Sequence, residues 1–127
     1  MSPDLASWLG QIPWVPLAIV AVLAVLWILS SRGAKKKRGA LATKLAEGAK
    51  VIDVRTNGEF ANGHFPGAVN IPLDSLGSKL KTLGASETAI VVYCASGIRS
   101  AQAASSLRAA GFTDVTNAGS LGSLPRD

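Results

Sequence analysis

Hydrophobic residues are spread unevenly along this chain, and the longest apolar run lies near the N-terminus. No formally charged side chain occurs in residues 5–31, and residues 14–29 are almost entirely Val, Leu, Ile, Ala and Trp. A helix of ~20 residues crosses the ~30 Å hydrocarbon core of a bilayer. We therefore predict a short N-terminal segment at residues 1–11 and one transmembrane helix at residues 12–31.

A cleavable signal peptide and a buried core helix are the alternatives for this apolar segment. A signal peptide needs a positively charged N-terminal region, whereas the only charged side chain before the span is Asp4. No strong small-residue cleavage site follows Leu29 either. The length and the flanking residues therefore favour a retained, single-pass anchor.

A cluster of basic residues directly follows the span. It holds five of the 13 Lys and Arg residues, namely Arg32, Lys35, Lys36, Lys37 and Arg38. Such residues are retained in the cytoplasm, so we expect the following domain, residues 40–127, on the cytoplasmic side of the membrane. We interpret residues 32–39 as a basic linker that contacts anionic membrane lipid, or as a solvated spacer. From Gly39 onward eight cations face seven acids, so nucleic acid is not an expected partner.

Beyond this cluster, short runs rich in Val and Ile alternate with longer segments of helical periodicity. This alternation predicts an α/β fold with a mostly parallel central sheet flanked by helices. The strongest strand, at residues 89–93, is apolar throughout, as expected for a strand covered on both faces. We predict strands at 51–54, 68–71, 89–93 and 114–116, helices at 41–47, 56–61, 75–83 and 99–110, and a tail at 120–127.

The single cysteine, Cys94, follows the strongest strand and precedes a loop of small residues. The carboxyl ends of parallel strands are where open α/β sheets bind ligands. The N–H groups of the loop and of the next helical turn have no partners in the helix, so they favour a thiolate at this position. A lone cysteine is also commonly a buried hydrophobic residue, so its position alone does not decide between the two roles. One cysteine excludes a disulfide within the chain and a zinc site built of several thiolates.

The residues around this cysteine resemble a known active-site loop. The segment is similar to the CxxGxRS loop of single-domain rhodaneses, and its residues are Cys94, Ala95, Ser96, Gly97, Ile98, Arg99 and Ser100. Segments 51–55, 59–60, 63–68, 70–72, 109–112 and 117–119 fit other conserved parts of that family. The resemblance extends over residues 41–121 and implies a rhodanese-like fold.

The resemblance also implies a chemistry, sulfur transfer. Cys94 would take the sulfane sulfur of an anionic donor such as thiosulfate, hold it as a persulfide and pass it to a thiol, cyanide or protein acceptor. The loop from Ala95 to Ser100 would bind the persulfide, with Arg99 assisting an anionic donor. Asp53 and Arg55 would brace this loop, and Glu59 would pair with Arg55 or serve as a capping-box carboxylate. His64 is implied to lie in a structural turn, and neither a metal nor an organic cofactor is required.

Two other functions fit the same residues. A rhodanese-like module without catalytic activity would use Cys94 to recruit partners or to sense oxidants. A phosphatase or arsenate reductase is disfavoured because the loops of those relatives place five residues between cysteine and arginine, whereas four intervene here. The sulfur-transfer hypothesis requires that the loop N–H groups point at the sulfur and that packed side chains do not seal it.

Overall fold

The computed structural model describes residues 14–126. The predicted N-terminal segment 1–11, the first two residues of the predicted span and Asp127 lie outside these described residues. The chain divides into two compact units, Met1–Lys36 and Lys37–Asp127. We describe each unit by itself.

The described part of the first unit is helical and apolar. Helix α1 extends over Trp14–Ala46, and its apolar window has a mean hydropathy of 2.0 with none of its residues buried. Among the described residues, this is the one helix that is long and apolar enough to cross a membrane. A signal sequence has the same length and composition, so the helix alone does not distinguish the two.

Helix α1 also corrects a prediction, because it continues through the basic segment 32–39 and replaces the two separate helices expected from the sequence. Lys, Arg, Ala and Leu are strong helix formers, and a glycine inside a helix costs only about 1 kcal/mol relative to alanine. Gly33 and Gly39 therefore do not interrupt the helix. Gly48, with φ of +84°, ends it, as predicted, and the Ala49 N–H donates to the Lys44 carbonyl.

The second unit contains a four-stranded parallel sheet, which confirms the predicted fold class. The strands are β1 (Lys50–Asp53), β2 (Val69–Asn70), β3 (Ile90–Cys94) and β4 (Val115–Ser120), in the order β2-β1-β3-β4. Every neighbouring pair is parallel, so the carboxyl ends of all four strands meet at one edge. The helices are α2 (Asn57–Ala61), α3 (Leu76–Lys79) and α4 (Ile98–Ala109), with 3-10 turns at Leu73–Ser75, Leu80–Thr82 and Leu121–Ser123.

The structure also differs from the prediction of one helix at residues 75–83. Only α3 within this segment is α-helical, and 3-10 turns flank it. The segment is rich in weak helix formers, namely Ser75, Gly77, Ser78 and Thr82. Serine and threonine hydroxyl groups also compete with backbone N–H groups for the backbone carbonyls. The Ser78 hydroxyl donates to the Ser75 carbonyl, and the Thr82 hydroxyl donates to the Lys79 carbonyl. The segment therefore forms tight single turns.

Alternate residues of β3 divide between two apolar cores. Ile90, Val92 and Cys94 belong to the core that includes α4, whereas Val91 and Tyr93 pack with Leu41 and Leu124 on the other face. All five residues of β3 are buried, as predicted for a strand covered on both faces. Leu124 is only 3% exposed, so the segment predicted as a tail at 120–127 instead completes the second core.

Candidate active site

A sharp turn carries the chain from β3 into α4 and places Cys94 at the carboxyl edge of the sheet. Gly97, with φ of +95°, is the N-cap of α4. This left-handed conformation suits glycine, and a Cβ at this position would lie 3.4 Å from the Cα of Gly119. The small residues of the predicted loop are therefore needed to fold the chain back over Cys94.

Polar groups of the loop converge on the Cys94 sulfur. The Gly97 N–H donates to Sγ at 2.9 Å, and the Ser100 Oγ lies 3.5 Å from Sγ and accepts from the thiol. Burial raises the pKa of Cys94, but the Ser100 hydroxyl and the N–H groups of Ser100, Gly97 and Ser96 more than offset this effect. The pKa of Cys94 therefore lies below its ordinary value, and the loop stabilises the thiolate.

The thiol is nevertheless out of contact with solvent. Cys94 is 0% exposed, whereas Ala95 and Ser96 of the loop are exposed and Ile98 is 70% exposed. The sulfur therefore has no exposed surface in this structure, which does not meet the expectation from the sequence that packed side chains leave it unsealed.

Arg99 is held at the loop by a carboxylate from α2. Its Nη1 and Nη2 donate to the two oxygens of Glu59 at 2.8 and 3.0 Å. This pairing corrects the expectation that Glu59 pairs with Arg55, while the capping box with Thr56 is confirmed. Hydrogen bonding by Arg99 lowers the pKa of Glu59 to about 2, with Thr56 adding to the effect, although partial burial opposes it. The pKa of Arg99 is raised, first by Glu59 and also by attraction to the Cys94 thiolate.

Asp53 and Arg55 form a separate buried pair at the end of β1. Nε and Nη2 of Arg55 donate to the Asp53 carboxylate at 2.7–3.0 Å, and Nη2 also donates to the Gly63 carbonyl. Among the described residues, no hydrogen bond joins this pair to residues 95–100. The guanidinium lies 5.7 Å from the ring centroid of Tyr93, the residue before Cys94. The expected bracing of the loop by ion pairs and hydrogen bonds from this pair is therefore not seen; the pair contacts Tyr93 instead.

His64 lies in the turn after α2, and its contacts are with Phe60. The two rings stack with centroids 3.8 Å apart, and Nδ1 lies 3.0 Å from the Phe60 carbonyl oxygen. In the described part of the chain His64 makes no hydrogen bond to Cys94. This placement agrees with the structural turn that the sequence implied.

Two features of the site were not found from the sequence. The Tyr93 hydroxyl accepts from the Phe65 N–H, and burial, as the largest of several effects, raises the pKa of Tyr93 to about 12. Gly119, at the end of β4, accepts from the Ser100 hydroxyl at 3.3 Å. Both contacts join segments far apart in the sequence, and no local pattern marks either of them.

Comparison with known proteins places this arrangement in a family. Residues 38–119 match the model of the rhodanese-like domain. The chain belongs to the rhodanese-like domain family. The thiosulfate sulfurtransferase PspE of Escherichia coli is 37% identical to this rhodanese-like chain over 92 residues, covering 67% of the chain and 88% of PspE.

Other relatives extend the same likeness. The uncharacterized protein YqhL of Bacillus subtilis is 39% identical over 69 residues, and the aligned part covers 54% of each chain. This rhodanese-like chain thus spans about half the length of YqhL. Among solved structures, the human single-domain sulfurtransferase TSTD1 superposes with a TM-score of 0.59 at 33% identity, covering 66% of this chain and 85% of TSTD1.

Proposed function

We propose that this chain is a membrane-anchored sulfurtransferase of the rhodanese type, with Cys94 as the nucleophile that carries sulfur as a persulfide. The observation that carries the proposal is the contact of the Cys94 sulfur with the Gly97 N–H, inside a loop with only four residues between Cys94 and Arg99. Relatives named thiosulfate sulfurtransferases support this reaction class.

The proposed first step is an exchange of one sulfur–sulfur bond for another. The Cys94 thiolate attacks the sulfane sulfur of thiosulfate, and sulfite leaves with the electron pair of the broken bond. The product is a persulfide whose outer sulfur is anionic. The loop N–H groups and the Ser100 hydroxyl, which stabilise the thiolate, are available to this anionic product as well.

The second step returns the enzyme to its starting state. A nucleophilic acceptor such as a thiolate or cyanide attacks the outer sulfur, and Cys94 leaves as a thiolate. No net oxidation or reduction of the protein occurs over the cycle. Both steps use a thiolate at position 94, which agrees with the lowered pKa of Cys94.

Loop size supports sulfur transfer over oxyanion chemistry. Four residues separate Cys94 from Arg99, and the backbone donor that lies at hydrogen-bond distance from the sulfur within the described residues is the Gly97 N–H. A phosphoryl or arsenate group has three further oxygens, each of which needs donors. The smaller cradle favours one anionic sulfur atom.

Burial of Cys94 supports a second candidate, a non-catalytic module that binds partners; it does not favour a response to oxidants, which also need access to the sulfur. Because the side chain is 0% exposed, a donor reaches the sulfur only if the loop moves. The two candidates differ in whether Cys94 gains sulfur and loses it again to an acceptor.

Mass spectrometry of the intact, full-length protein after thiosulfate treatment distinguishes these functions. The sulfurtransferase is expected to gain one sulfur atom on Cys94 and to lose it when a thiol or cyanide is added. Cys94→Ser is the blank, and Ser105→Ala, an exposed change on α4, is the matched control expected to behave like the wild type. Wild-type protein that gains no sulfur would contradict the proposal, and turnover of an aryl phosphate would favour the phosphatase alternative.

The proposed location is a single membrane span with the rhodanese-like domain on the cytoplasmic side. The apolar character of α1 and the basic cluster that follows its apolar part support this location. Membrane lipid would be a partner through the helix and through the cluster. Retention of the full-length mass in washed membranes is expected for an anchor, whereas a shortened, released protein would indicate a cleaved leader.

A further inference from the structure

Strand β4 carries an irregularity beside Cys94. Val92 pairs with Asn117, but the next residue of β3, Tyr93, pairs with Gly119, so Ala118 is an extra residue. Such a β-bulge bends its strand, and bulges commonly occur beside active sites. Gly119 has φ of +82°, a conformation that favours glycine.

The Asn117 side chain closes the bulge. Its Oδ1 accepts from the Gly119 N–H at 2.9 Å, a local bond that fixes the backbone of this short turn. Asn117 itself is exposed and contributes nothing to the apolar cores. Its visible role is therefore to set the position of Gly119.

Gly119 in turn contacts the active-site loop in two ways. Its carbonyl accepts from the Ser100 hydroxyl at 3.3 Å, and its backbone lies so close to Gly97 that a Cβ there would be 3.4 Å from the Gly119 Cα. The Gly97 N–H and the Ser100 Oγ are both hydrogen-bonded to the Cys94 sulfur. The bulge therefore supports the loop from behind at both of its sulfur-binding positions.

We propose that Asn117 is a positioning residue for the active-site loop: through the bulge at Gly119 it holds the Gly97 N–H and the Ser100 Oγ beside the Cys94 sulfur. This inference rests on the proposed function for its catalytic meaning, but its structural effect on Cys94 can be measured without any donor. The charged groups at the loop are Arg99 from α4 and Glu59 from α2, which pair with each other, while the Asp53–Arg55 pair lies at the end of β1. None of these groups contacts Asn117 by a hydrogen bond among the described residues.

Ultraviolet titration of the thiolate in full-length, detergent-solubilised protein tests the proposal. Cys94 is the single cysteine of the chain, and the single tyrosine, Tyr93, has a pKa raised to about 12, so it does not interfere. Asn117→Ala is expected to raise the pKa of Cys94, because the loop donors are no longer held on the sulfur. Persulfide formation at neutral pH should fall by about threefold to tenfold, the effect of weakening one hydrogen bond.

Three further variants make the test specific. Asn117→Asp keeps an acceptor oxygen at the same distance but adds a negative charge, so its titration is expected between those of the wild type and N117A. Asn117→Gln carries its acceptor one bond further and should behave like N117A, which preserves the test if N117A does not fold. Ser105→Ala, an exposed change on α4, is the control expected to match the wild type.

The outcomes separate this inference from the proposed function. An N117A or N117Q titration identical to that of the wild type would overturn the positioning role, as would an N117D titration shifted as far as that of N117A. If the titrations follow the expected pattern while wild-type Cys94 gains no sulfur from thiosulfate, the positioning role stands and the sulfurtransferase proposal fails.

Discussion

Ser100 occupies a central position in the site because its one hydroxyl proton has several possible acceptors. Its Oγ lies 3.0 Å from the Gly97 carbonyl oxygen and 3.3 Å from that of Gly119, so its proton is donated to either of them, while the Cys94 thiol donates to Oγ. When Cys94 loses its proton, the hydroxyl can turn toward the sulfur and stabilise the new charge. Ser100 thus links the protonation state of Cys94 to two backbone carbonyls.

Replacing Ser100 by alanine should therefore raise the pKa of Cys94. The thiolate loses a donor, and the fraction of thiolate at neutral pH falls, so persulfide formation should slow by about tenfold. The pH dependence of persulfide formation measures this effect, and Ser105→Ala on the exposed face of α4 is the control. A profile for S100A that coincides with that of the wild type would show that the loop N–H groups alone stabilise the thiolate.

Glu59 gives a prediction for stability at acid pH. Its pKa is lowered from 4.5 to about 2, so the ionised pair with Arg99 favours the folded state above pH 4.5. This contribution is lost as the pH falls from about 4.5 to about 2, because the carboxylate becomes protonated. Thermal unfolding should show Glu59→Gln less stable than the wild type near neutral pH, with the difference disappearing toward pH 2. A difference that does not depend on pH would show that the ionised Glu59 carboxylate does not stabilise the folded state.

The sequence located the candidate nucleophile but not all of the contacts around it. Cys94 and its loop could be predicted because the strand, the small residues and Arg99 are contiguous in the chain. The capping box of Thr56 and Glu59 could be predicted because it too is local. The pairing of Glu59 with Arg99 joins residues 40 positions apart, and only the folded sheet brings these two side chains together.

At the scale of elements, the C-terminal segment is one whose structure the pattern of apolar residues does not predict. Residues 120–127 contain Gly, Ser and Pro and show no pattern, so the sequence predicted a tail. In the structure Leu121–Ser123 form a 3-10 turn that places Leu124 against Val91 and Tyr93. Strand β3, in contrast, was predicted to within a residue, because its uninterrupted apolar run fits only a strand covered on both faces.

Leu124→Ala tests whether this segment is part of the core. Removing a buried leucine side chain leaves a cavity and typically costs ~2–5 kcal/mol. For a domain of this size each kcal/mol lowers the melting temperature by about 4–8 °C, so thermal unfolding followed by circular dichroism detects the change. Arg126→Ala, an exposed change two residues further on, is the control. Equal melting temperatures for L124A and R126A would show that residues 120–127 do not contribute to the core.

At the scale of the whole chain, charge is concentrated outside the rhodanese-like domain. Five of the 13 cations lie at residues 32–38, directly after the apolar part of α1, while the rest of the chain is nearly balanced. Helix formation through the basic segment points these side chains around the whole circumference of the helix, since successive residues are turned by ~100°. A ring of cations at the end of the apolar part of α1 is suited to contact anionic lipid headgroups on every side of the helix.

The orientation of the chain should follow from this cluster. In spheroplasts of a bacterial host, protease added outside is expected to leave the wild-type domain intact and to cleave it after lysis. Replacing Lys35, Lys36, Lys37 and Arg38 by Gln removes four of the five cations of the cluster and should make part of the domain accessible from outside. Lys79→Glu with Lys81→Glu makes the same change in net charge within the domain and should leave the orientation unaltered. Digestion of the wild-type domain in intact spheroplasts would place it on the outer face, where the basic cluster would act as a spacer and not as a determinant of topology.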